Sequence, residues 1–285
     1  MEILTWCDPK YFKFADALIR SIRYNKNENL IHLNLMDFND EDFDLIVEYF
    51  REDSKINLIR ANFDDLKNVY DVNNRVEFYR NYRPRLFLDL LKKSENGKLC
   101  TFGANGLVFC KLRFIKDLLN DNDFIFLERQ RDNVHTNFPK RVAGIDDIQA
   151  LVEGGISIDK ILSTTTGKVV LLGTHAMRSN DVVEDILQRW INMIENTDSI
   201  NNTYSDMNLF VKSCVQYQIE NNTKIKKQTG IDLPREENPF CDTLLTSGSN
   251  IWFAKGSSKF NINHDPWLGK YLELVEYFRN YKYKL

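Results

Sequence analysis

The chain has 285 residues, with 38 Lys plus Arg against 41 Asp plus Glu and a formal net charge of −3. That length suffices for one large α/β domain or two smaller ones, and 19 Phe, 12 Tyr and 4 Trp supply a core that excludes a disordered chain. Charges of both signs are interspersed, which excludes the broad basic footprint of a nucleic-acid binder and leaves any anion to local basic residues.

In chain order, "EILTWC" reads as a first strand, and "YFKFADALIRSIRYN" places Phe14, Ala17, Leu18 and Ile22 at helical spacing. "LIHLNLMDF" alternates as a strand, "DEDFDLIVEYF" opens with acidic residues suited to a helix start, and "KINLIRA" is a short strand. This βαβαβ alternation predicts a mixed, mostly parallel central sheet of Rossmann type, with helices on both faces. A helix follows over about residues 75 to 93, with Pro84 marking a bend or a late start. It delivers the chain to "KLCTFGANGLVFC", residues 98 to 110, an apolar strand, a small polar turn and a second apolar strand.

Farther on, "FIFLER" and "KVVLLGTHAMRS" read as strands separated by the helical "IDDIQALVEGG". The helices "VVEDILQRWINMIEN" and "YSDMNLFVKSCVQYQ" come next, then the strands "DTLLT" and "NIWFAKG" and a closing helix in "WLGKYLELVEYFRNYK". No internal repeat or linker forces a boundary, so a single domain over 1–285 is expected, read as two halves, 1–110 and 111–285.

The opening "MEILTWCDPKYF" is too polar for a signal peptide, and no stretch approaches the roughly 18 apolar residues of a membrane span. A soluble, cytoplasmic protein is the expectation. Cys7, Cys100, Cys110, Cys214 and Cys241 form an odd set without C-x-x-C or zinc-like spacing, which predicts buried free thiols.

The order of these elements resembles that of GT-A-fold nucleotide-sugar glycosyltransferases, the group that includes glycogenin and bacterial lipopolysaccharide galactosyltransferases. "TWCDPKYFKFADALIRSIRYN" is similar to their opening strand and helix, and "YRPRLFLDLLKK" before "KLCTFGANGLVF" is similar to their Tyr/Arg helix and following strand. "LLGTHAMRSND", "YSDMNLF" and "NIWFAKGSSKFNINHDPW" occur where such enzymes place donor or acceptor loops. The resemblance implies transfer of a sugar from a nucleotide-sugar donor, a UDP-sugar, to an oligosaccharide or glycoprotein glycan, with 1–110 as the nucleotide-sugar-binding half and 111–285 as the acceptor-binding half. It places Thr5, Cys7 and Asp8 near the base, Asn105 near the ribose or sugar, and Arg85 at the family's Arg position. The other reading of Arg85 is an ion pair on its helix face.

The family's metal turn is Asp-x-Asp, whereas the aligned triplet here is Gly103-Ala104-Asn105. A hard cation wants anionic oxygens, so no metal ligand is assigned, and a role for Mn²⁺ or Mg²⁺ is doubtful. The turn is either a modified donor site or a plain strand connection. Lys255, Lys259 and His264 are the candidates to neutralise the diphosphate, with Ser257, Ser258, Gly256 and Lys270 nearby in sequence; the alternative for the lysines is a solvated surface. Asp206 is the first candidate for the catalytic carboxylate and Asp242 the second, with Asp181 also considered; capping or surface roles compete for each. A catalytically inactive GT-A domain that binds sugar nucleotide or glycan is the alternative function.

Overall fold

The computed structural model describes residues 1–128, 130–132, 141–165, 169–196, 206–229, 251–253 and 266–282. Strand β1 (Glu2–Cys7) passes through a 3-10 turn (Pro9–Tyr11) into α1 (Phe12–Tyr24), followed by β2 (Ile31–Met36), α2 (Asp40–Phe50), β3 (Ile56–Ala61) and α3 (Phe63–Leu66). Next come α4 (Arg75–Lys93), β4 (Lys98–Phe102), β5 (Gly106–Val108), α5 (Arg113–Leu118), β6 (Phe124–Glu128), β7 (Gln130–Asp132) and β8 (Arg141–Ala143). The chain continues with α6 (Gly144–Glu153), α7 (Ile158–Thr164), β9 (Val170–Arg178), α8 (Asp181–Glu195), α9 (Asp206–Glu220), β10 (Lys227–Thr229), β11 (Ile251–Phe253) and α10 (Pro266–Arg279).

Local chemistry explains where several helices begin. Asn39, Asn74 and Asn180 have extended backbones, and their side chains accept the amides of Asp42, Glu77 and Val183, which removes orphan donors from α2, α4 and α8. Asp40, Glu41 and Asp42 then place negative charge in the first turn of α2, where the helix dipole favours it. A late start at Pro84 does not occur: α4 runs from Arg75 through a buried Pro84 to Lys93. Its capped start and the burial of Phe78, Leu86, Phe87, Leu90 and Leu91 outweigh the one amide donor that Pro84 removes.

Among the described residues the central sheet has seven strands in the order β10-β6-β9-β4-β1-β2-β3, mixed and mostly parallel. β1 runs parallel to β2 with Ile3 opposite Ile31, β2 runs parallel to β3 with Ile31 opposite Ile56, and β10 runs parallel to β6. The reversed partner is β9, antiparallel to β6 with an irregularity between Ile125 and Leu127. Near-continuous burial along β1 and β2 is what a parallel strand covered on both faces requires. Two small antiparallel pairs, β5 with β11 and β7 with β8, stand apart from this sheet. The predicted strand "DTLLT" lies outside the described residues.

The contacts divide the chain into two compact units, one of Met1–Leu66, Cys100–Asp117 and Leu233–Leu285, the other of Lys67–Leu99 and Leu118–Asp232. In the first, α1 buries Phe14 and Ala17 against Leu107 of β5 and Tyr271, Val275 and Phe278 of α10. Buried Asp16 accepts from Arg20 Nε at 2.8 Å and from the Tyr49 hydroxyl at 3.0 Å, and Arg20 Nη1 donates to the Tyr281 carbonyl at 2.6 Å. Buried Arg23 pairs with Asp53 at 2.8 Å and donates to the carbonyls of Asn27, Asn29 and Lys55, so this internal charge is paired and satisfied.

In the second unit, Phe87, Trp190, Phe210, Phe124 and Phe126 form a continuous aromatic core, with ring centroids 5.3 Å apart for Trp190–Phe210 and 5.6 Å for Phe124–Phe210. Buried Glu128 ends β6 beside Lys227 of β10, and its Oε1 accepts the Ile145 amide at the start of α6 at 2.8 Å. Burial pushes the Glu128 carboxyl up, and the Lys227 ammonium pulls in the other direction. Among the described residues, Cys7, Cys100 and Cys214 are buried free thiols and Cys110 is a half-buried one, and no helix is long and apolar enough to cross a membrane. Cys241 lies outside the described residues.

Candidate functional site

In the first unit, the chain leaves β1 at its carboxyl end through Asp8. The Asp8 carboxylate accepts the Tyr11 amide at 3.0 Å and, with Pro9 behind it, turns the chain into α1. Cys7 is buried, and burial first and the Asp8 charge second hold its thiol well above the ordinary range. It is therefore a neutral apolar group and not a thiolate nucleophile. Thr5 on β1 and Thr101 on neighbouring β4 are fully buried, and their hydroxyls have no hydrogen-bond partner among the described residues.

The Gly103-Ala104-Asn105 turn closes when the Gly106 amide donates to the Gly103 carbonyl at 2.9 Å. Ala104 is buried, and the Asn105 carbonyl accepts the Tyr271 hydroxyl at 2.9 Å. Beyond the turn, β5 pairs on one edge with β11, Gly106 opposite Phe253 and Val108 opposite Ile251. Side chains of α1 and of its C-cap also reach β5: the Ser21 hydroxyl accepts the Val108 amide at 2.9 Å and Asn25 Nδ2 donates to the Val108 carbonyl at 2.8 Å. Asn27 extends the contact, donating to Cys110 and accepting the Leu112 amide.

The turn does not fit a divalent cation. The carbonyls of Gly103 and Asn105 are engaged within the protein, and the one side-chain oxygen, on Asn105, is neutral. Among the described residues no group of three or more His, Cys, Asp or Glu side chains could hold a metal ion.

Arg85 lies in the second unit. Its Nη1 donates to the Asn81 carbonyl at 2.8 Å and to Asn81 Oδ1 at 3.0 Å, its Nη2 pairs with Glu195, and the guanidinium lies 5.2 Å from the Tyr70 ring centre. The guanidinium is thus held by α4, α8 and an aromatic ring. Asp181 is the first residue of α8, and Asp206 is the first residue of α9. The Asp206 side chain lies outside the described residues, as do Asp242, Lys255, Gly256, Ser257, Ser258, Lys259 and His264. Lys270 is exposed and pairs with Glu273 at 3.2 Å.

Three contributors escaped the sequence reading. Ser21 and Asn25 look like the polar face of an amphipathic helix, and Tyr271 looks like one more core aromatic. A Ser and an Asn four residues apart near a helix end is a weak signal that a neighbouring strand edge is being served.

No protein-family model matches the chain. No curated protein matches it either. Solved structures do. The chain is similar to the galactosyltransferase LgtC in complex with donor and acceptor sugar analogues, with a TM-score of 0.54, 13% identity, and 97% of this chain and 96% of that one covered. It is also similar to the bifunctional glycosyltransferase WbbM (TM-score 0.54, 12% identity, 96% of this chain) and to the glycosyltransferase GlyE of Streptococcus pneumoniae (TM-score 0.52, 12% identity, 98% of this chain). The chain spans 51% of the WbbM structure and 62% of the GlyE structure. The fold is GT-A.

Proposed function

We propose that this GT-A chain is a glycosyltransferase that moves a sugar from a UDP-sugar to an oligosaccharide or glycoprotein glycan, without a protein-held divalent ion. The observation that carries the reading is the near end-to-end likeness to LgtC, whose structure holds donor and acceptor sugar analogues. Open α/β sheets bind ligands at the carboxyl ends of their strands. In this reading Thr5, Cys7 and Asp8 at the end of β1 line the base, and the Asn105 amide meets the ribose or sugar. Cys7 contributes packing and backbone, because its thiol stays protonated.

The leaving diphosphate carries the charge that must be stabilised, and a preorganised cation does this without a metal. Lys255, Lys259 and His264 take that role, in the stretch of sequence between β11 and α10. Arg85 binds phosphate only by exchanging its partner Glu195 for it. The acceptor hydroxyl oxygen forms the new bond to the anomeric carbon as the bond to the diphosphate oxygen breaks; where the transfer inverts, its proton passes to a carboxylate, for which Asp206 is the first candidate and Asp242 the second.

A panel of sugar nucleotides, assayed for donor hydrolysis and transfer, tests this reading. Turnover of one donor to free UDP and sugar or glycoside is the expected result. Binding without turnover would leave a sugar-nucleotide or glycan-binding module. No binding of any nucleotide diphosphate would end the reading.

A further inference from the structure

The backbone from which the Asn105 amide projects is held by one hydroxyl from far along the chain. Tyr271 Oη donates to the Asn105 carbonyl at 2.9 Å across a sequence separation of 166 residues. The Tyr271 ring is 1% exposed and stacks on Phe14, with centroids 6.1 Å apart and planes 22° from parallel. Leu107, Val275 and Phe278 complete its surroundings. The ring is packed among apolar groups that a phenylalanine ring would meet in the same way. The hydroxyl is a separate feature with a separate partner.

That partner is the third residue of the Gly103-Ala104-Asn105 turn, which the resemblance to GT-A enzymes aligns with their Asp-x-Asp turn. On its amino side the turn is closed by the Gly106 amide on the Gly103 carbonyl, and on its carboxyl side β5 is held by β11 and by Ser21 and Asn25. The Asn105 peptide lies between these restraints, and the Tyr271 hydroxyl restrains it in turn. Burial holds the phenol well above its ordinary range, so it remains a donor. A neutral amide binds a ligand hydroxyl through one or two directional hydrogen bonds, whose strength falls steeply with misalignment. A fixed peptide therefore matters more to an amide than to a diffuse charge.

We propose that Tyr271 is a positioning residue for donor recognition: its hydroxyl fixes the Asn105 peptide, and through it the angle at which the Asn105 amide meets the nucleotide sugar. The proposal rests on the reading that this turn contacts the donor. It adds a second level to the site, in which a residue of the last helix sets the geometry of a residue between β4 and β5.

The test is a double-mutant cycle on Tyr271→Phe and Asn105→Ala, read by calorimetric titration with UDP and with the preferred UDP-sugar and by thermal melting. Tyr271→Phe should melt cooperatively and close to the parent, and should weaken the UDP-sugar about five- to tenfold, the loss expected for one misaligned hydrogen bond. Donor KM should rise more than kcat falls. In the Asn105→Ala background the same Tyr271→Phe change should have no further effect on binding. An unchanged UDP-sugar affinity in Tyr271→Phe overturns the proposal, as does an equal loss with or without the Asn105 side chain. Loss of cooperative melting in Tyr271→Phe also overturns it, because the hydroxyl would then hold up the fold. A parent protein that binds neither ligand fails before any substitution is made, and that outcome removes the donor-site reading itself.

Discussion

The Ser21 hydroxyl accepts the Val108 amide at 2.9 Å while donating to the Leu18 carbonyl at 2.7 Å, so one buried side chain of α1 completes the edge of a strand 87 residues away. Asn25 takes the Val108 carbonyl, so both the N–H and the C=O of Val108 are satisfied. Ser21→Ala removes the acceptor and leaves the Val108 donor buried and unpaired. A destabilisation of about 1–3 kcal/mol is expected. Urea unfolding monitored by tryptophan fluorescence measures it, and a change below about 0.5 kcal/mol would show that water replaces the hydroxyl.

Gly144 and Gly155 separate two effects of glycine. Both have positive φ, +85° and +90°, but a Cβ on Gly144 would stand 2.4 Å from the Glu128 carboxylate, whereas nothing lies within 4 Å of one on Gly155. Gly155→Ala should cost about 1 kcal/mol from backbone strain alone. Gly144→Ala should cost clearly more, because Glu128 is anchored by Ile145 and Lys227 and cannot retreat freely. Thermal melts of the two variants side by side give the comparison. Equal shifts would mean that the carboxylate moves aside at no cost.

His175 on β9 is buried, with Nδ1 on the Leu172 carbonyl at 3.0 Å and its ring 4.8 Å from that of Phe87. Nε2 has no hydrogen-bond partner among the described residues. Burial pushes its pKa down to about 3, with a backbone hydrogen bond to Leu172 opposing and the Arg83 charge assisting. The unfolded chain binds the proton from about pH 6.5 downwards, whereas the folded chain resists it to about pH 3. The contribution to stability is therefore present above about pH 6.5 and is lost progressively as pH falls towards about 3. His175→Leu should flatten the urea midpoint between about pH 7 and pH 4.5 relative to the parent. An unchanged slope would assign the acid sensitivity to other groups.

Metal removal tests the reading of the Gly103-Ala104-Asn105 turn. A divalent ion there would have phosphate but no anionic protein oxygen to hold it. Transfer measured in excess EDTA should stay within a few-fold of that in manganese. Complete loss in EDTA, restored by manganese, would show that carboxylates elsewhere recruit the ion.

Much of the architecture is legible along the chain. The apolar strand "EILTWC", the amphipathic spacing of α1, the acidic start of α2 and the strands β2 and β3 follow from contacts between near neighbours, so a local pattern suffices to predict them. The missing carboxylates at residues 103 to 105 are likewise a matter of residue identity, and no fold can supply them. Pro84 does not delay the start of α4, because its local penalty is small beside the burial of the helix around it.

Pairing was decided by the tertiary structure. "GLV" after the turn leaves the main sheet to pair with β11, some 140 residues later, and α1 serves its other partners through Ser21 and Asn25. Arg85 meets Glu195 across 110 residues, and Tyr271 meets Asn105 across 166. A side chain's local sequence sets its conformational preference, but its partner depends on which distant surfaces are brought together as apolar area is buried. The kinds of element and the chemistry of the turn therefore belong to the sequence, and the hydrogen bonds that hold the turn in place belong to the fold.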